Sequence, residues 1–114
     1  MKLVIAIIQP SRLDQVREAL LAADIPRITV MRCSGRARAD AEPELFRGQA
    51  VAPTLESRVR VEVACNEDYV DPAIEAILAG ARSGDGEVGD GKIFVVPLER
   101  CIRIRTGESG PGAV

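Results

Sequence analysis

The chain has 114 residues, 46% hydrophobic and 28% charged, with a formal net charge of −2 and no histidine. That is enough for one domain with a modest core. It excludes imidazole-based catalysis, gives no basic footprint for nucleic acid and, with 3% aromatic residues and no Trp, no platform for base stacking.

No apolar run reaches the ~18 residues of a membrane span, so no direct membrane insertion is expected. The opening stretch Met1–Pro10 is too short for a signal peptide; a cytoplasmic protein is expected. Cys33, Cys65 and Cys101 are odd in number, widely spaced, and each lies in or beside an apolar run. Without histidine or a Cys-x-x-Cys pair, they predict buried reduced thiols rather than a zinc site.

In chain order, Leu3-Val4-Ile5-Ala6-Ile7-Ile8 is a continuous apolar run closed by Pro10, the pattern of a central strand. Ser11 is placed to cap a helix reaching Ala23, with Leu13, Val16 and Leu20 on its apolar face. Ile28 to Cys33 reads as a second strand. From Ser34 to Glu56 periodicity is lost in a long loop, a length that in compact domains usually carries function.

Arg58-Val59-Arg60-Val61-Glu62-Val63 alternates strictly, which predicts a strand with one buried and one charged face. The plain reading of those charges is a solvated sheet face. Asp71-Pro72 reads as a cap and first helical position, though the helix could begin a turn earlier near Asn66. Its stripe is Ile74, Ile77, Leu78 and Ala81. A strand at Lys92–Val96 follows, then a short final strand at 100–105 and a Gly- and Pro-rich tail, 106–114, expected to be mobile.

Between the second helix and that strand lies Ser83-Gly84-Asp85-Gly86-Glu87-Val88-Gly89-Asp90-Gly91-Lys92. Closely spaced glycines can turn backbone N–H groups inward to make an anion-binding concavity, with Lys92 as a charge at its rim. The bland alternative is a helix C-terminal glycine followed by a loose turn. Two familiar patterns match and both fail. Gly84-x-Gly86-x-x-Gly89 and Gly86-x-x-x-x-Gly91-Lys92 each need a strand before and a helix after, and the order here is the reverse.

The element order is β-α-β-β-α-β plus a short last strand, which predicts an α+β, ferredoxin-like sandwich. Two helices cover one sheet face, so the other is expected to bury against another subunit.

Over residues 1–108 the chain resembles the PII signal-transduction proteins. The resemblance rests on Ala6-Ile7-Ile8-x-Pro10 with Leu13-Asp14-x-Val16-Arg17-Glu18-Ala19-Leu20, on Glu44-Leu45-x-Arg47-Gly48, on Gly89-Asp90-Gly91-Lys92-Ile93-Phe94-Val95, and on Ile102-Arg103-Ile104-Arg105-Thr106-Gly107-Glu108. It implies a single PII-like domain over 1–114, with a T-loop at about 37–57, a B-loop at about 83–92 and a C-terminal tail. It further implies a homotrimer binding ATP or ADP in intersubunit clefts, with magnesium accompanying ATP.

Mapped onto this chain, the phosphate loop falls on Gly89, Asp90, Gly91 and Lys92, with Arg103 and Arg105 reaching in from the neighbouring subunit. Ile7, Thr29, Gly35, Glu62 and Ala64 would line base and ribose, and Arg38 would enter from the loop base. Arg47, Val51 and Arg58 belong to the segment expected to contact a target protein, such as a membrane transporter or a metabolic enzyme.

The chain departs from the family pattern in places. Val51 replaces the tyrosine that classical members have uridylylated, and Ala39 replaces the glutamine that helps assemble magnesium and 2-oxoglutarate. Gln9 and Arg58 stand where lysines are usual, Ala37 replaces a glycine, and the B-loop is two residues longer. The reading is therefore a non-enzymatic nucleotide sensor without tyrosine modification or classical 2-oxoglutarate sensing. The alternatives are a small nucleotide-dependent hydrolase or transferase using Lys92 and Asp90, and an interaction trimer with a vestigial nucleotide site.

Overall fold

The computed structural model describes residues 1–36, 44–46, 49–51 and 55–114. Lys2–Ile8 forms β1, which is hydrogen-bonded along both edges, to β5 (Glu56–Cys65) and to β6 (Gly91–Pro97). Its unbroken apolar run follows from that central place. With β2 (Thr29–Gly35) on the far side of β5, the four-stranded sheet has the order β2-β5-β1-β6, every pair antiparallel. This is the ferredoxin-like arrangement expected from the element order.

Alternate residues point to opposite faces. Val4, Ala6 and Ile8 of β1 meet Val59, Val61, Val63 and Cys65 of β5 beneath two helices, α1 (Leu13–Ala22) and α2 (Glu67–Ala81). Val16 and Leu20 come down from α1, Ala73 and Ile77 from α2. Each buried branched side chain contributes about 1.5–3 kcal/mol, so this single cluster holds the layers together. The helices approach closely at Gly80, where a Cβ would stand 2.7 Å from Val16 Cα.

Several boundaries differ from expectation, each for a local reason. Ser11 is not a cap: Pro10–Arg12 forms a 3-10 turn, closed by Arg12 N donating to Gln9 O at 3.0 Å, and α1 starts after it. At the other end Asp24 takes a φ of 63°, and Ile25 N returns to Leu20 O at 2.9 Å, which seats Ile25 in the core. α2 takes the earlier of its two starts, so Pro72 lies inside the helix rather than at its first position.

The stretch 34–56 is not wholly irregular. β2 runs on to Gly35, β5 begins at Glu56, and between them β3 (Glu44–Phe46) pairs antiparallel with β4 (Gln49–Val51).

The short final strand is absent. Residues 100–110 double back instead, with one bridge between Ile102 and Ser109, Arg103 N donating to Glu108 O at 2.8 Å and Gly107 N to Arg103 O at 2.8 Å. Nor is the tail loose. Pro111–Ala113 forms a second 3-10 turn, Asn66 Nδ2 holds Pro111 O at 3.1 Å, and Ala113 is buried.

Among the described residues no helix lies over the sheet's second face. It carries Met31 from β2, Arg60 and Glu62 from β5, Leu3, Ile5 and Ile7 from β1, and Lys92, Phe94 and Val96 from β6, as the register requires. Among the described residues no helix is long and apolar enough to cross a membrane.

Candidate functional site

The glycine loop leaves α2 at Arg82 and enters β6 at Gly91. Its shape is set by Asp90, whose Oδ2 accepts hydrogen bonds from Glu87 N at 2.9 Å and Ser83 N at 3.1 Å. These amides, Glu87's most of all, hold the Asp90 carboxyl below the ordinary carboxylate range. Two further bonds, Gly86 N to Ser83 O at 2.9 Å and Asp90 N to Glu87 O at 3.2 Å, make two consecutive turns. Gly91 closes the loop with a φ of 114°, and a Cβ there would collide with the Ile7 carbonyl oxygen of β1. Only glycine lets the loop lie this close to the strand.

Two side chains from the start of the chain hold the loop in place. Gln9 Nε2 donates to Gly89 O at 2.7 Å. Arg12 Nη2 donates to Arg82 O at the C-terminal end of α2, where a cation also complements the helix dipole. Arg12 Nε is buried without a hydrogen-bond partner among the described residues. Sequence reasoning assigned neither residue a part in the loop, because both contacts span most of the chain and no local pattern aims them.

The Asp90 carboxylate is thus turned into the loop, where it holds two amides. Lys92 does sit at the rim, exposed on the open sheet face opposite Ile7, with no ion-pair partner among the described residues.

The residues expected to line base and ribose divide into two groups. Ile7, Gly35 and the loop gather at one end of the sheet. Thr29, Glu62 and Ala64 stand toward the other, on the wall of a hollow of about 820 Å3 that Leu3, Cys101 and Val114 help to line. A second hollow of about 370 Å3 lies beside the loop, lined by Ile8, Ile77, Asp90, Gly91 and Lys92. Leu3 and Ile8 mark the two ends, about 17 Å apart at ~3.4 Å per residue.

Charges on the open face are already paired in part. Glu62 Oε1 accepts from Arg60 Nε at 2.9 Å. Arg58, placed by expectation with the partner-contacting segment, is instead inside β5 and only 8% exposed. Its guanidinium folds onto Glu56 Oε2 at 2.7 Å and Ser57 O at 2.9 Å. Arg103 and Arg105 do not share a strand face. Arg103 Nη1 donates to Glu108 Oε2 at 3.2 Å and Nη2 to Gly112 O at 3.0 Å, while Arg105 is exposed on the turn. Arg38, Ala39 and Arg47 lie outside the described residues, and Val51 is placed only as part of β4.

All three cysteines are free. Cys65 is buried, and burial pushes its thiol pKa up, whereas Cys33 and Cys101 are only half-buried, short of the burial expected. Among the described residues no group of three or more Cys, Asp or Glu is placed to hold a metal.

Fold and loop together define a class: small ferredoxin-like proteins with a glycine-rich loop between a helix and an edge strand. Comparison with known proteins narrows it. The family model "Nitrogen regulatory protein P-II" matches residues 1–108. The nitrogen regulatory protein GlnK1 of Methanosarcina mazei is 45% identical over 114 residues, covering 100% of this chain and 97% of that one. The nitrogen regulatory protein P-II of Cereibacter sphaeroides is 44% identical over 114 residues, covering 100% of both. Among solved structures, Arabidopsis thaliana PII bound to citrate superimposes with a TM-score of 0.77 at 38% identity, covering 98% of this chain and 87% of that one. The chain belongs to the nitrogen regulatory protein P-II family, whose members are regulatory signalling proteins and not enzymes.

Proposed function

We propose that this protein binds ATP or ADP in clefts between the subunits of a homotrimer, and that nucleotide state controls a target protein through the segment 37–57. The observation that carries the reading is the division of the expected site. The glycine loop with Lys92 lies at one end of β1, and Thr29, Glu62 and Ala64 lie toward the other. A second chain supplying its own Thr29 end to the first chain's loop would complete one site from two halves. A glycine-rich loop held in shape by Asp90 and Gln9, with the Lys92 charge at its rim, suits phosphate, for which a close-approaching backbone and a cation are the usual complement.

A catalytic use of Lys92 and Asp90 is disfavoured by the same geometry. A carboxylate held by two amides with a depressed pKa is a poor proton acceptor. The protein would act in the cytoplasm on a transporter or metabolic enzyme. Classical 2-oxoglutarate sensing is not proposed, because Ala39 offers neither donor nor acceptor to offset a carboxylate's desolvation. Titrating 2-oxoglutarate into the ATP–magnesium complex should give no heat.

Calorimetry with ATP, ADP and AMP tests the central claim. Micromolar binding of ATP or ADP is expected, about 8 kcal/mol. Lys92→Ala and Arg103→Ala should each weaken it by roughly 1.5–3 kcal/mol through lost charged contacts. Wild-type affinity in both variants would mean the phosphates lie elsewhere; no binding at all would leave an interaction trimer with a vestigial site.

A further inference from the structure

We infer that Glu108 and the C-terminal tail act as an intramolecular competitor for Arg103, so that nucleotide phosphates and a docked tail exclude one another in part. The inference rests on the proposed nucleotide reading and adds a regulator to it. Arg103 is not waiting free. Its two terminal nitrogens are committed to the Glu108 carboxylate, at 3.2 Å, and to the Gly112 carbonyl, at 3.0 Å.

The first partner matters most for charge. A carboxylate this close cancels much of the guanidinium's attraction for a phosphate, and a phosphate arriving beside it meets a like charge. The second partner ties that charge to the tail's position. Gly112 belongs to the Pro111–Ala113 turn, which Asn66 Nδ2 also holds through Pro111 O. Ala113 and Val114, at the end of the same turn, line the 820 Å3 hollow beside Thr29, Glu62 and Ala64. Drawing Arg103 toward a phosphate removes one of the tail's anchors and loosens a wall of that hollow. By linkage the effect is reciprocal: whatever holds the tail down weakens nucleotide binding by the same factor.

Both members of the pair are partly exposed, with side-chain exposures of 32% for Arg103 and 47% for Glu108. The competition is therefore modest, about two- to fivefold in affinity, the span of an exposed ion pair. That suits a trim on the response rather than a lock.

The test compares wild type, Glu108→Gln, Arg103→Ala and the double variant by calorimetry with ATP, ADP and adenosine, alongside hydrogen exchange of the Gly110 and Ala113 amides. Glu108→Gln should tighten ATP and ADP about two- to fivefold and leave adenosine, which has no phosphate, unchanged. The gain should vanish when Arg103 is already Ala. Saturating ATP should speed exchange at Gly110 and Ala113.

Weaker or unaltered ATP binding by Glu108→Gln, an equal gain with adenosine, or a gain that survives Arg103→Ala would overturn the competition. So would tail amides that ATP leaves unchanged or protects further. If wild type binds neither nucleotide, the functional reading falls and this inference falls with it. If wild type binds and Arg103→Ala weakens it while Glu108→Gln does not tighten it, only the competition is lost.

Discussion

Gln9 Nε2 reaches across 80 positions of sequence to donate a 2.7 Å hydrogen bond to Gly89 O. The residue that follows β1 thereby ties the glycine of the Glu87–Asp90 turn to the end of the strand. A typical hydrogen bond contributes about 0.5–1.5 kcal/mol net. Gln9→Ala should cost stability in that range by denaturant titration and weaken ATP more than it weakens adenosine. Unaltered ATP affinity with lowered stability would show that the bond serves the fold alone.

Asp90 gives the loop a pH dependence whose sign is fixed. Its folded pKa lies below the ordinary value because Glu87 N and Ser83 N favour the charged carboxylate. A group depressed in this way contributes stability that is present above its unfolded pKa, about 3.9, and is lost as pH falls through the lower folded value. Acid titration of wild type should therefore show a loss of loop structure below about pH 4. Asp90→Asn, which keeps the shape and gives up the charge, should flatten that part of the curve. An identical acid limb in both proteins would mean other carboxylates dominate it.

Gly91→Ala tests the close approach of β6 to β1. The substitution puts a Cβ against the Ile7 carbonyl and holds alanine at a φ of 114°, a conformation that costs about 1–3 kcal/mol before any clash. A loss of at least ~2 kcal/mol is expected, together with the loss of nucleotide binding. A variant of wild-type stability would show that the loop re-forms elsewhere at little cost.

What the sequence revealed and what it hid divides along a physical line. β1 was legible as an unbroken apolar run, and β5 because a strand with one face under helices alternates, as Val59, Val61 and Val63 do. Even there the pattern misjudged Arg58, since a long side chain can fold its charge back onto a neighbour and leave water. The start of α1 was misread at Ser11, and the choice between Asn66 and Asp71 for α2 stayed open, because each residue suits a cap while the actual start depends on where the preceding strand ends. The glycine-rich loop was visible in the sequence, but not the part Asp90 plays in it, which depends on two turns that bring Ser83 N back to a residue seven positions on. The tail read as loose because Gly and Pro carry no periodicity. Its anchors, Asn66 and Arg103, belong to other segments, and no reading confined to the tail itself can supply them.

The open sheet face leads to the last prediction. Phe94 lies on it beside Ile5 and is 48% exposed, with Met31 and Val96 also uncovered on the same side. Burying such a ring contributes about 1.5–3 kcal/mol, and a trimer would do so three times over, which is why a homotrimer is proposed to cover this face. Phe94→Glu reverses the sign of that contribution, since an unpaired carboxylate in an interface costs several kcal/mol. Inside one subunit the same change is mild, because Phe94 is outside the helix-covered core. Light scattering at micromolar concentration should give a trimer for wild type and a monomer for Phe94→Glu, with the far-UV circular dichroism of the two alike. Nucleotide binding should be lost in the variant although Lys92, Thr29 and Glu62 are all intact, because the two halves of the site then sit on chains that no longer meet. A monomeric variant that still binds ATP at wild-type affinity would place the whole site within one subunit and end the shared-cleft reading.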